Sequence, residues 1–226
     1  MNCISHYLKT KNEQLKIYIL KLTINSIGKL ANWRIRKLIQ GGIKKMSNQR
    51  LSEFDIQEAI KNVANLMGVS ARTAPKSAGK DFVVIKVIYE EEVNRLAEEM
   101  VHYGEEFSKK NFDRDGDNVK NSLAVLLIGI KDAQSLGLNC GACGYDQCSD
   151  RISHKKNEFD GPQCAFRLLD MGIAIGSAVK TAGIMNVDNR IMYRAGVVAK
   201  KMGLINADFV MGIPLSVTGK SIYFDR

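Results

Sequence analysis

Four of the five cysteines in this 226-residue chain fall between residues 140 and 164. They read Cys140-Gly-Ala-Cys143-Gly-Tyr-Asp-Gln-Cys148 and then, after fifteen intervening residues, Cys164, a C-x2-C-x4-C-x15-C spacing. Thiolates are soft ligands, and several converging on one small volume hold a metal ion or an iron–sulfur cube. Gly137, Gly141 and Gly144 lie among or just before the first three cysteines, and glycine permits the tight left-handed turns that wrapping a cluster requires. The first expectation is a [4Fe–4S] cluster on Cys140, Cys143, Cys148 and Cys164. Structural zinc also takes four thiolates, although zinc ribbons usually pair two short knuckles, whereas here three cysteines crowd together and the fourth stands alone. A disulfide framework suits small secreted chains, and nothing here reads as a cleavable secretory signal. Four unrelated buried thiols would not sit in a polar, Gly-rich loop.

The stretch Asn139-Cys140-Gly141-Ala142-Cys143-Gly144-Tyr145, with Cys148 and Cys164, resembles the four-cysteine [4Fe–4S] domain of some electron-transfer subunits. Such domains occur in electron-transport complexes and in the carbon monoxide dehydrogenase/acetyl-CoA synthase system. From about residue 50 onward the chain resembles a bacterial and archaeal family of uncharacterised proteins containing a ferredoxin domain. That likeness is carried by Ala71-Arg72-Thr73-Ala74-Pro75-Lys76, by Gly172 to Ala178, by Val187-Asp188-Asn189-Arg190-Ile191-Met192-Tyr193, and by Gly212-Ile213-Pro214-Leu215-Ser216 with Gly219-Lys220 and Phe224-Asp225-Arg226. One departure is that a proline often follows the fourth cysteine in such domains, while here Pro162 precedes Cys164 and Ala165 follows it.

The net charge of +9 is concentrated at one end. Residues 1–45 hold ten Lys and Arg against one acid, Glu13, whereas the remaining 181 residues hold 23 of each sign. The body is therefore not a polycation, and nucleic acid is not among its expected partners. Within the leader, Leu20, Ile24, Ile27, Ala31, Ile35 and Leu38 recur at nearly helical spacing among basic residues, a pattern that suits an anionic membrane surface. Lys21, Lys29, Arg34 and Arg36 break every window long enough to span a bilayer, so no transmembrane segment is expected. Gln40-Gly41-Gly42-Ile43-Lys44-Lys45-Met46 can be encoded by a purine-rich ribosome-binding site, a spacer and a start codon. Residues 1–45 are accordingly expected to be a mis-assigned leader, with translation starting at Met46.

The elements that must position the cysteines follow from periodicity. Residues 52–67 read as a helix that Gly68 stops, with Ser52 and Asp55 as a capping pair. Pro75 and Gly79 mark a loop. Phe82–Ile88 and Leu123–Ile130 read as buried strands, with a helix over Glu90–Phe107 and a polar stretch over Asp113–Ser122 between them. The cysteine loop follows, then helices over Phe166–Met185 and Arg190–Leu204 and a third strand over Phe209–Ile213. This order predicts one α+β domain over 46–226, a layered sandwich with a four-cysteine Fe–S loop module inserted at about 125–185. Small residues at Gly172, Ala174, Gly176, Ala178 and Ala182 are expected to serve tight helix packing, and the methionines to be adaptable core.

His102 and His154 have no nucleophile at motif spacing, and neither a P-loop nor a G-x-G-x-x-G after a strand occurs. Four cysteines saturate a [4Fe–4S] cube, which favours one-electron transfer over substrate activation, with a structural or sensing cluster, or a zinc interaction module, as the alternative. The element order weakly resembles the flavin-binding nitroreductase fold. That likeness implies FMN as a second cofactor, its phosphate held by Arg72, Lys76 and Lys220, and a flavin/Fe–S oxidoreductase in place of a simple carrier. The Thr73-Ala74-Pro75 segment departs from the Arg-rich loop usual there. Expected partners are a redox protein and a second copy of the chain, in a reducing cytoplasm that keeps thiolates ready for metal.

Overall fold

The computed structural model describes residues 53–224. The expectations for the basic leader, the start at Met46 and the Ser52 cap lie outside the described residues. Helix α1 spans Glu53–Thr73, strand β1 Val83–Tyr89, α2 Glu90–Glu106, α3 Phe112–Lys120 and β2 Ala124–Ile130. After a long irregular segment come α4 (Ala165–Ile184), β3 (Asp188–Asn189), α5 (Tyr193–Lys201) and β4 (Phe209–Ser216). The four strands form one antiparallel sheet in the order β1-β2-β4-β3.

The sheet is built around β2, whose sequence AVLLIGI is buried at every residue. Alternate side chains of a strand point to opposite faces, and both faces of β2 are apolar, so both must be covered. On one face Ala124, Leu126, Ile128 and Ile130 meet Ile60, Ala64, Met67 and Ala71 of α1 and Met171, Ala174, Ala178 and Ala182 of α4. On the other, Val125 and Leu127 meet Leu96 and Met100 of α2, Val119 of α3 and Val198 of α5. The α+β layered class expected from the sequence is the class observed, with helices on both sides of the sheet.

Three local expectations are corrected. Helix α1 does not stop at Gly68 but continues to Thr73, because Ala71 extends the buried stripe and Gly68 faces the Ile85 side chain, to which an added Cβ would come within 3.7 Å. The polar stretch after α2 is helical as α3. Its buried edge is only Phe112, Gly116 and Val119, with Asp115 buried against Arg114 at 2.7 Å and Arg194 at 2.8 Å. The small residues of α4 divide: Ala174, Ala178 and Ala182 are fully buried, whereas a Cβ on Gly172 or Gly176 would meet nothing within 4 Å. Those two glycines serve no close packing among the described residues.

Close approach does decide the crossing of α5 over β4. A Cβ on Gly196 would overlap the carbonyl oxygen of Val210, and one on Gly212 would lie 2.7 Å from the Ala195 Cβ. Only glycine lets the two backbones approach this closely.

Candidate metal-binding loop

Residues 131–164 connect β2 to α4 and contain the whole four-cysteine motif. All four thiols are free, with Cys140 exposed, Cys143 and Cys148 half-buried, and Cys164 buried. The chain turns through the left-handed region at Gly137, Asn139, Gly141 and Gly144, with φ between 46° and 90°. Cys148 and Asn139 close the loop reciprocally. The Cys148 N–H donates to Asn139 Oδ1 at 2.8 Å, and the Asn139 N–H donates to Cys148 Sγ at 3.3 Å.

Cys164 sits at the N-cap of α4, where unpaired N–H groups and the helix dipole favour negative charge. Burial opposes its ionisation, but the backbone N–H groups of Leu136, Arg167 and Phe166 and the charge of Arg151 outweigh that and hold the thiol below its ordinary value. One short segment, 136–139, thus sends N–H groups to the sulfurs of both Cys164 and Cys148.

Two arginines hold the ends of the loop. Arg151 donates to Ser135 Oγ at 2.9 Å, to Pro162 O at 2.8 Å and to Ala133 O at 3.2 Å, tying both limbs together. Arg167, only 1% exposed, donates to Gln134 O at 3.0 Å, to Ser77 O at 2.9 Å and to Asp170 Oδ2 at 3.0 Å. Asp170 Oδ1 in turn accepts from the Ser77 N–H at 2.8 Å and its hydroxyl at 2.7 Å. A buried charge is tolerated only when paired and fully hydrogen-bonded, and this pair meets both conditions. It joins the cysteine loop, α4 and the 3-10 turn Ser77–Gly79 into one unit. Nothing in the sequence reading singled out Arg151, Arg167 or Asp170; the only local signal was an Arg and an Asp three apart in the otherwise apolar first half of a helix.

From Arg151 to Pro162 the chain runs as a strap over the body. Its backbone pairs with itself at His154 and Gly161, and the Asp160 N–H donates to Asp208 O at 2.9 Å. Phe159 stacks on Phe209 with centroids 4.2 Å apart. Glu158 accepts from Lys109 and from the hydroxyls of Tyr193 and Tyr103. Burial works against its ionisation, yet Lys109 and Tyr193 hold its carboxyl below the usual range. Burial and the same carboxylate push Tyr103 up to about 12.

By donor type the four cysteines fit a thiolate-bound metal group, since N–H donors turned on sulfur stabilise the anionic form. Among the described residues no group of three or more Cys, His, Asp or Glu side chains is disposed to hold a metal ion.

The three residues expected at a flavin phosphate stand differently. Arg72 donates to Asp81 Oδ2 at 2.6 Å and to Val83 O at 2.8 Å. Lys76, whose side chain is buried, donates to the carbonyls of Ala71 and Arg72 and so caps the C-terminus of α1. Lys220 is exposed, and among the described residues no hydrogen bond or ion pair joins it to either. His154 is exposed on the strap and His102 exposed on α2. No described helix is long and apolar enough to cross a membrane.

A sheet covered on both faces by helices, with a four-thiol loop landing on a helix N-terminus, is the frame these observations define. Residues 160–226 match the model of a family described as "Uncharacterized protein containing a ferredoxin domain". An uncharacterized protein of Archaeoglobus fulgidus is 49% identical over 182 residues, covering 78% of this chain and 97% of its own. The chain belongs to this ferredoxin-domain family. The matched segment includes Cys164, Arg167 and Asp170, while the other three cysteines precede it.

Solved structures are similar at lower levels. A nitroreductase-like protein from Bacillus cereus is 12% identical with a TM-score of 0.47, over 71% of this chain and 76% of that one. An FMN-dependent nitroreductase from Mycobacterium smegmatis in complex with NADPH is 12% identical with a TM-score of 0.48, over 74% and 82%. At these scores the likeness decides nothing about cofactor or chemistry.

Proposed function

We propose that this protein carries a [4Fe–4S] cluster on Cys140, Cys143, Cys148 and Cys164 and transfers single electrons to and from a partner protein. The observation that supports it most is the arrangement of thiols in one loop, with backbone N–H groups turned on the sulfurs of Cys148 and Cys164. The ferredoxin domain that describes the family points to iron–sulfur electron transfer in the same way. A bound cluster would supply reversible one-electron chemistry, its potential set in part by hydrogen bonds to sulfur. The chain's own residues do the rest. Arg151 and Arg167 fix the loop ends, and the N-cap of α4 favours the Cys164 thiolate. The exposed Cys140 side of the loop leaves an edge open to a partner.

FMN at Arg72, Lys76 and Lys220 is the subsidiary reading. A flavin phosphate there would compete with Asp81 for Arg72 and with the α1 carbonyls for Lys76. Release of flavin from acid-treated protein, followed by fluorescence, tests it directly. A flavin would make the protein an oxidoreductase, and its absence would leave it a carrier. A cytoplasmic location and self-association into a homodimer belong to the same proposal, and sedimentation of purified protein tests the latter.

The decisive test of the cluster is electron paramagnetic resonance of dithionite-reduced protein, wild type beside Cys143→Ser. A reduced-cluster signal that Cys143→Ser weakens or abolishes supports the reading. A silent spectrum from protein holding one zinc would overturn it in favour of a structural metal module.

A further inference from the structure

An open cleft of about 460 Å³ lies between the strap and the C-terminal end of α5, lined by Lys131, Lys155, Lys156, Lys200, Lys201 and Asn206 among others. A second cleft of about 430 Å³ adjoins it, sharing Lys131 and Lys155 and adding Arg151 and His154. Volumes of this size are those of small-molecule sites.

The concentration of lysine here is not inherited from composition. Residues 53–224 carry 21 Lys and Arg against 22 Asp and Glu, yet five ammonium groups from three separate parts of the chain line one cleft. Like charges gathered this way repel unless counter-charge is supplied. The acids at the cleft are already committed. Asp160 pairs with Lys200 at 2.9 Å. Asp208 pairs with Lys131 at 2.8 Å and accepts the Asp132 N–H at 2.7 Å. Glu158 is taken by Lys109, Tyr103 and Tyr193. Lys201 pairs outward with Glu106 at 3.2 Å. Among the described residues, Lys155 and Lys156 have no ion-pair or hydrogen-bond partner. The strap holds them over the cleft because Phe159 and Glu158 pin it beside them.

We propose that this lysine-lined cleft binds a small, multiply charged oxyanion bearing phosphate or carboxylate groups, with Lys155 and Lys156 as its principal contacts. Lysine serves such ligands as a mobile point charge, and the Asn157 and Asn206 amides at the cleft add neutral donors. The site is independent of whether the cysteines hold iron.

Isothermal titration with inorganic pyrophosphate, and separately with citrate, tests it in a chloride buffer. Pyrophosphate above citrate marks a phosphate site, and the reverse marks a carboxylate site. The wild-type protein is expected to bind at least one of them saturably with one site per chain. The double variant Lys155→Gln/Lys156→Gln, altered only at exposed positions, is expected to weaken binding about tenfold, and Lys180→Gln, on the exposed face of α4, to leave it unchanged. Protection of Lys155 and Lys156 from acetylation by the bound anion, read by mass spectrometry, gives a second readout. No saturable binding of either anion, equal affinity in the double variant, or an equal loss in Lys180→Gln would overturn the site.

Discussion

Cys164 differs from the other three cysteines in what surrounds it. It is buried at the head of α4 with three N–H groups facing its sulfur, while Cys140 is exposed in the loop. Serine in place of Cys140, Cys143, Cys148 or Cys164 is expected to lower iron content, measured by plasma mass spectrometry, and stability with it. Full iron retention in every single variant would remove the ligand assignment. Arg167 acts on the same loop without being a ligand. Arg167→Met leaves Asp170 buried without its cation, and uncompensated burial of this kind costs about 3–5 kcal/mol. Urea unfolding should show a loss of that size, and a change below 1 kcal/mol would mean the pair does not hold the loop.

At the scale of elements, α4 offers the clearest test. Gly172 and Gly176 lie within the helix with open space around them. Each Gly→Ala change there should raise stability by about 0.5–1 kcal/mol by thermal melting; a loss would mean that the open face is covered in solution. Gly196→Ala should do the opposite, because its methyl would overlap Val210, and overpacking of this sort costs about 1–3 kcal/mol or more. The strap has a pH signature. Glu158 is held below its ordinary value of 4.5, so the stability it contributes is full above that pH and fades as pH falls through the lower folded value. Thermal melts of Glu158→Gln should lack that part of the acid dependence, and an unchanged acid profile would remove Glu158 as the strap's anchor. Strands β1, β2 and β4 and helix α4 were legible in the sequence because β2 is an unbroken apolar run and α4 a largely apolar helix beginning just after Cys164, whereas the two-residue β3 is too short to leave a pattern. Helix α3 was not, since of its four buried positions one is the charged Asp115 and one is Gly116, which leaves little apolar periodicity in nine residues. The arginine clamps were invisible because their partners lie 11, 18, 33 and 90 residues away, and no local pattern records such contacts.

At the scale of the whole described body, residues 53–224, the sheet and its two helical layers form a base from which an irregular loop of some thirty residues carries the four thiols. The positive charge of the chain is not spread over this base; residues 53–224 are nearly balanced, and the lysines that do cluster come from the end of β2, the strap and the end of α5. The cysteine spacing is a local pattern, and it alone is enough to propose thiolate–metal chemistry from the sequence. The lysine cleft became legible only when α5, β2 and the strap were brought together. The most direct test of the central claim is an anaerobic absorption spectrum of the purified protein before and after dithionite, with iron and sulfide assayed on the same sample. A broad brown absorption that bleaches, with about four irons and four sulfides per chain, is the expected result. A colourless protein with one zinc and no sulfide would contradict it.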